Sequence, residues 1–199
     1  RHMKIALIYP PTCDPTAPYI SVPALTGYLR TKGIEVLPVD ANVEAWDLLL
    51  RKPFLCATAQ RLAGRLAKLS RSARLSHVEQ LAYAHLRLAE DIARSAPAHI
   101  ADAMAVLRDR SGVRFFDPAA YNRAVDTIES ALELISAAYT PLSLDFAAFR
   151  TPFSMLDMDS IKGDAQPSRN PFHDYFDHHL CRLLARENVN MAGISVAFP

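Results

Sequence analysis

The run Lys4-Ile5-Ala6-Leu7-Ile8-Tyr9 is apolar almost throughout and stops at Pro10-Pro11. A run so short and unbroken reads as a fully buried strand of a parallel sheet. Two prolines offer no N–H to a ladder, so the strand ends there. From Ser21 the pattern turns helical, with Val22, Leu25 and Leu29 at spacings of three and four and Lys32-Gly33 as the stop. Ile34 to Asp40 then reads as a second strand that ends on a carboxylate. Strand, helix, strand in so little chain is a βαβ unit, and its crossover is expected to be right-handed. This is how an open parallel sheet begins.

The middle of the chain is of another kind. Between Val43 and Tyr139 every periodic stretch is helical. Pro53 opens one helix bearing Leu55, Leu62, Leu66 and Leu69. Ser76 and Glu79 form a capping-box pair ahead of Leu81, His85, Leu88 and Ile92. Asp117-Pro118 is an N-cap with proline at the first helical position, and Tyr121, Val125, Ile128, Leu132, Ile135 and Tyr139 follow in steps of four and three. Thr140 to Gln166, with Pro141, Pro152 and Gly163, reads as a long irregular connection. Asn170-Pro171 opens a further helix with Phe172, Phe176, Leu180 and Leu183 on one face, and the stretch from Val189 to Phe198 enters a third buried strand.

The expected fold is therefore α/β. It is an incomplete open parallel sheet with strands near 4–9, 34–39 and 191–198 in order 2-1-3, and a large all-helical insertion separates the second strand from the third. The expected parts are 3–42, the first βαβ; 43–169, the insertion and connection; and 170–199, the last helix and strand. A sheet that stops at its third strand lacks neighbours and cover, so the sequence reads as a fragment that self-associates through that strand. Arg1 and His2, ahead of Met3, read as expression-vector residues.

Composition narrows the function classes. Twenty-two Lys and Arg against 21 Asp and Glu leave a formal charge of +1 over 199 residues. No molecule-wide field of one sign exists to attract phosphate backbones or acidic membranes, so neither nucleic acid nor membrane is expected as a partner. No apolar run reaches the roughly 18 residues that cross a bilayer, and the start lacks a signal-peptide layout, so a cytoplasmic protein is expected. Cys13, Cys56 and Cys181 form no CxxC pair and read as free thiols. No glycine-rich phosphate loop is present.

Three stretches carry a resemblance: KIALIYPPTCDPTAPYISVPALTGYLRTKGIEVLPVDAN at 4 to 42, NPFHDYFDHHLCRLL at 170 to 184 and NMAGISVAFP at 190 to 199. Together they resemble the amino-terminal cobalamin-binding domain of cobalamin-dependent radical SAM proteins. The resemblance implies a Rossmann-like sheet whose carboxyl-edge loops face a corrin ring, the edge at which open α/β sheets bind ligands. It implies that Pro10, Pro11, Thr12 and Tyr19 after the first strand, and Ser195, Ala197 and Phe198 at the third, line the cobalamin by shape and backbone hydrogen bonding. The implied partner is a downstream radical SAM domain of the same chain, with which methyl transfer or a radical rearrangement would be carried out.

Two departures qualify that picture. Many cobalamin-binding domains hold cobalt through a histidine in an Asp-x-His-x-x-Gly loop, and the loop from Pro10 to Ile20 has no histidine. Nor does any Cys-x-x-x-Cys-x-x-Cys occur, so an iron–sulfur cluster and S-adenosylmethionine belong only to the downstream domain. The alternative is a non-catalytic Rossmann-like sensor or interaction module whose helical insertion binds a partner protein.

Other chemistry is thin. On a helix His173 and Asp177 share a face, as do Asp174 and His178, but a metal needs three or four converging ligands, so the cluster reads as a solvated first turn with acids near the positive helix end. Asp14 beside Cys13 raises rather than lowers a thiol pKa, which is wrong for a nucleophile. His77, His85 and His99 read as packing residues, and no catalytic set converges in sequence.

Overall fold

The computed structural model describes residues 3–11, 14–17, 19–152 and 157–195, and the chain divides into two compact units, 1–48 with 172–199 and 49–171. In chain order the first elements are β1 (Lys4–Tyr9), α1 (Ser21–Thr31), β2 (Glu35–Asp40) and α2 (Ala41–Leu49). Helices α3 (Lys52–Ser70), α4 (His77–Leu88), α5 (Glu90–Leu107) and α6 (Pro118–Ala138) follow, then the short strands β3 (Ser143–Leu144) and β4 (Phe149–Arg150) and helix α7 (Met158–Asp164). A π-helical segment (Tyr175–Leu180), α8 (Cys181–Arg186) and β5 (Met191–Ile194) complete the described chain.

The first unit is the expected parallel sheet, in order β2-β1-β5. Lys4 pairs with Glu35 and Tyr9 with Asp40 on one side of β1, while Ile5 pairs with Met191 and Ile8 with Ile194 on the other. Burial of both faces of β1 explains why it carries no polar alternation. Ile5, Leu7 and Tyr9 pack with Val22 and Val36, backed by Leu29 and Ile34, and Ala6 and Ile8 are buried as well. Each aliphatic side chain taken out of water here contributes about 1.5 to 3 kcal/mol. Gly33, at φ 73, ends α1 in the left-handed conformation and lets the N–H of Ile34 reach the carbonyl of Leu29 at 3.2 Å. Gly193 brings β5 close to β1, for a Cβ there would lie 3.2 Å from Leu7. Lys4 Nζ bridges Glu187 at 2.8 Å and Glu35 at 3.2 Å, fastening the chain before β5 and the start of β2 to β1. Those hydrogen bonds raise the Lys4 pKa, and the one from Lys4 lowers that of Glu187. Residues 196–198 of the expected third strand lie outside the described residues.

The second unit is built from α3, α4, α5 and α6. Leu55, Leu62 and Leu66 of α3, Leu86 of α4, Ile100 and Val106 of α5, and Ile128, Leu132 and Ile135 of α6 are buried. The two helix starts with sequence signals form as expected. Ser76 and Glu79 exchange side-chain to backbone hydrogen bonds at the head of α4, and the Asp117 carboxylate accepts from the N–H of Ala119 at 3.1 Å at the head of α6.

Several faces differ from expectation. Leu25 of α1 is exposed while Thr26 is buried, and Leu81 and Leu88 of α4 face outward while Leu86 faces in. The apolar stretch read as running on to Ile92 breaks at Ala89, where α4 hands over to α5. The connection read as irregular holds the antiparallel pair β3–β4 and helix α7, so among the described residues the insertion carries one short hairpin beside its helices. Strands of two residues are too short to show alternation. The Ser136 hydroxyl fixes this region instead, accepting from the N–H of Leu144 at 2.9 Å. No helix among the described residues is long and apolar enough to cross a membrane.

Candidate ligand edge of the first unit

Strand β2 lies on one side of β1 and β5 on the other, so the strand order reverses between β1 and β5. In an open α/β sheet the crevice outside the carboxyl ends at such a reversal is the ligand position. The chain leaves β1 there through Pro10 and Pro11, both half-buried. Asp14 braces the loop that follows, its carboxylate accepting from the N–H of Thr16 at 2.8 Å and the hydroxyl of Thr16 at 2.6 Å. That occupation makes Asp14 a turn residue. The loop returns at Tyr19, whose ring stacks on that of Tyr9 with centroids 4.1 Å apart and planes 7° from parallel. Tyr9 is buried and Tyr19 remains 36% exposed, so the outer ring offers an aromatic surface on a fixed base.

Helix α1 starts beside this stack, and its hydroxyl at Ser21 lies 2.8 Å from that of Ser195, just past β5. The N–H of Ser195 in turn reaches the carbonyl of Ile8 at 2.9 Å. Two hydroxyls joined by one hydrogen bond retain one O–H to donate. Their chain neighbours Ile20 and Ile194 are 75% and 62% exposed. The polar pair sits at the strand-order reversal, and exposed Ile20 and Ile194 precede its two serines in the chain. Of the expected lining residues, Pro10, Pro11, Tyr19 and Ser195 lie along this edge. Thr12, Ala197 and Phe198, like Cys13, lie outside the described residues. Ser21 and Ile20 were not singled out as site residues, because a serine opening a helix reads in sequence as part of the helix start.

The carboxyl end of β2 carries a second polar group. Asp40 accepts from the N–H of Val43 at 3.0 Å, and buried Asn42 accepts from the indole N–H of Trp46 at 3.1 Å. Trp46 meets Phe172 edge to face at 5.4 Å. Tyr175 donates its hydroxyl to Glu44 at 2.7 Å. Burial, and then the Glu44 carboxylate, push the Tyr175 phenol far above the ordinary tyrosine pKa, so it stays a neutral donor. Sequence reasoning absorbed Tyr175 into the histidine cluster around it. Its spacing of three from Phe172 is the signal that places both inward.

The anticipated His173–Asp177 contact forms, at 3.1 Å. Among the described residues no three His, Cys, Asp or Glu groups converge to hold a metal ion. The sequence from Pro10 to Ile20 contains no histidine. Four clefts of about 430 to 550 Å³ lie elsewhere, within the helical unit. Three lie against helices alone or a helix end and one is lined in part by the β3–β4 hairpin, and we place the candidate site at the sheet edge on topology and chemistry. No family model, no curated protein and no solved structure matches this chain.

Proposed function

We propose that the chain is the cobalamin-binding module of a cobalamin-dependent radical SAM enzyme. The observation that carries the reading is the Ser21–Ser195 hydroxyl pair at the β1/β5 reversal, on an edge that also presents the Tyr19 ring stacked on Tyr9. A corrinoid is a broad ring with an apolar face and amide-bearing edges, and this surface presents those two chemistries side by side. When bound it supplies a methyl group or a cobalt redox centre to a reaction whose cluster and S-adenosylmethionine sit in a separate domain. The residues of this chain hold and orient it: Tyr19 gives a flat contact held rigid by Tyr9, and the serine pair donates to a peripheral acceptor. Catalysis by the chain's own side chains has no part in this reading.

Titration of the chain with hydroxocobalamin and methylcobalamin, followed by absorbance and calorimetry, tests it. Saturable binding is expected, weakened roughly tenfold by Tyr19→Ala and several-fold by Ser195→Val, each with the fold intact by circular dichroism. Absence of binding, or binding indifferent to both substitutions, would falsify the proposal.

A further inference from the structure

Just past α6, in the helical unit, the Thr140 hydroxyl lies 3.0 Å from Nδ1 of His85 on α4. Helical spacing reads His85 as a packing residue, yet both side chains are half-buried and border a cleft of about 550 Å³. A hydroxyl and an imidazole within hydrogen-bond reach on an open cleft have the geometry of a nucleophile and its base. With its proton on Nε2, the neutral ring accepts from the threonine O–H and is placed to take that proton.

The nucleophile is held from behind. The Thr140 N–H donates to the Ala137 carbonyl at 3.3 Å and the Thr140 carbonyl accepts from Arg65 at 3.1 Å, so the backbone that carries the hydroxyl is fixed at both of its polar groups. Reacting atoms held in place this way need no ordering at the moment of reaction. His85 also borders the neighbouring cleft lined by Glu129 and Glu133 of α6. Those carboxylates are placed to offset the positive charge that the ring gains with the proton.

The lining selects the substrate. Leu69, Val78, Leu81 and Pro141 border the cleft of Thr140, and Val78 and Leu81 are 75% and 60% exposed. Such walls accept an aliphatic chain. Of the charged groups on this cleft, Arg65 is occupied by the Ala138 and Thr140 carbonyls, and one Glu79 oxygen accepts from the N–H and the hydroxyl of Ser76, both at 2.8 Å. Lys68 lines the same cleft and forms no ion pair among the described residues. Its ammonium is the group available to an oxyanion. An uncharged ester with an aliphatic acyl chain uses all of these features and requires no further charge.

We propose that Thr140 and His85 are the nucleophile and base of a second site, which hydrolyses uncharged esters of short aliphatic acids. Thr140 Oγ1 bonds to the acyl carbon as its proton passes to His85 Nδ1, the ester C–O bond breaks, and the departing alcohol takes that proton. Water then attacks the acyl-threonine and gives a proton to Nδ1, which returns it to Oγ1 as the carboxylic acid leaves. The test is hydrolysis of p-nitrophenyl butyrate by the full chain without cobalamin, with mass spectrometry of the acid-quenched protein. Saturable turnover and a butyryl adduct on Thr140 are expected. Thr140→Val and His85→Gln should each lower kcat at least about a hundredfold with the circular dichroism unchanged, while Thr140→Ser keeps turnover. Lys68→Met should lower kcat several-fold and leave KM alone. No turnover by the parent, an adduct on another residue instead, or a Thr140→Val protein as active as the parent would each overturn the proposal, the last by marking the histidine as a non-specific base.

Discussion

Tyr175 shows how one buried hydroxyl couples to pH. Its phenol is nearly inaccessible and donates to Glu44, and its pKa in the folded protein is raised above the ordinary 10.0. A raised pKa means that folding favours the protonated form. The contribution is therefore whole below pH 10 and is lost as pH climbs above it. In an alkaline titration followed by tyrosinate absorbance, part of the signal should appear only together with unfolding. Tyr175→Phe should shrink that late part and cost about 1 kcal/mol at neutral pH, from the lost hydrogen bond. An unchanged titration curve would mean that the phenol is open to solvent.

At the scale of an element, the carboxyl end of α6 is fastened by side chains of α3. Its final carbonyls carry the negative end of the helix dipole, and Arg61 and Arg65, one turn apart on α3, both donate to them. Arg61 Nε reaches the Ala138 carbonyl at 3.1 Å, while Arg65 reaches Ala138 at 2.7 Å and Thr140 at 3.1 Å. The Arg61 guanidinium also lies 4.2 Å from the Tyr139 ring centre. Burial, and then the charge of Arg61, lower the pKa of Arg65. Arg65→Met should cost about 2 kcal/mol and speed amide exchange in the last turn of α6. Lys68→Met, exposed on the same helix, should stay within about 0.5 kcal/mol. Equal effects of the two substitutions would show that the carbonyl contacts contribute nothing.

At the scale of the whole molecule, the two outer strands of the sheet are unlike. Strand β2 carries Pro38, which has no N–H to offer, and charged Glu35 and Asp40 at its ends. Strand β5 is Met191-Ala192-Gly193-Ile194, without charge or proline, and its Met191 and Ile194 are exposed. Nothing in that strand discourages a further strand from pairing with it. We expect the chain to self-associate through β5 at high concentration, and Ile194→Lys to lower the mass-average size in light scattering. A parent protein that stays monomeric over the whole concentration range would refute this.

Local signals in the sequence settled much of the outcome. The Pro-Pro stop after Tyr9, the Gly33 turn, the Ser76–Glu79 box and the Asp117-Pro118 cap each act within a few residues, so strand ends and helix starts were legible. Apolar runs marked strands of a parallel sheet, which take the order β2-β1-β5. What the sequence left open depends on neighbours far along the chain. Whether Leu25 or Thr26, and Leu81 or Leu86, faces inward turns on which element arrives to cover that face, because helical spacing alone allows adjacent stripes. Ser21 became part of the candidate site only when β5 brought Ser195, 174 positions away in the chain, to its hydroxyl. Tyr175 became a buried donor only when α2 placed Glu44 against it. Periodicity and caps are encoded within one turn of chain, whereas burial and partnership are properties of contacts that exist only after the chain has folded back on itself.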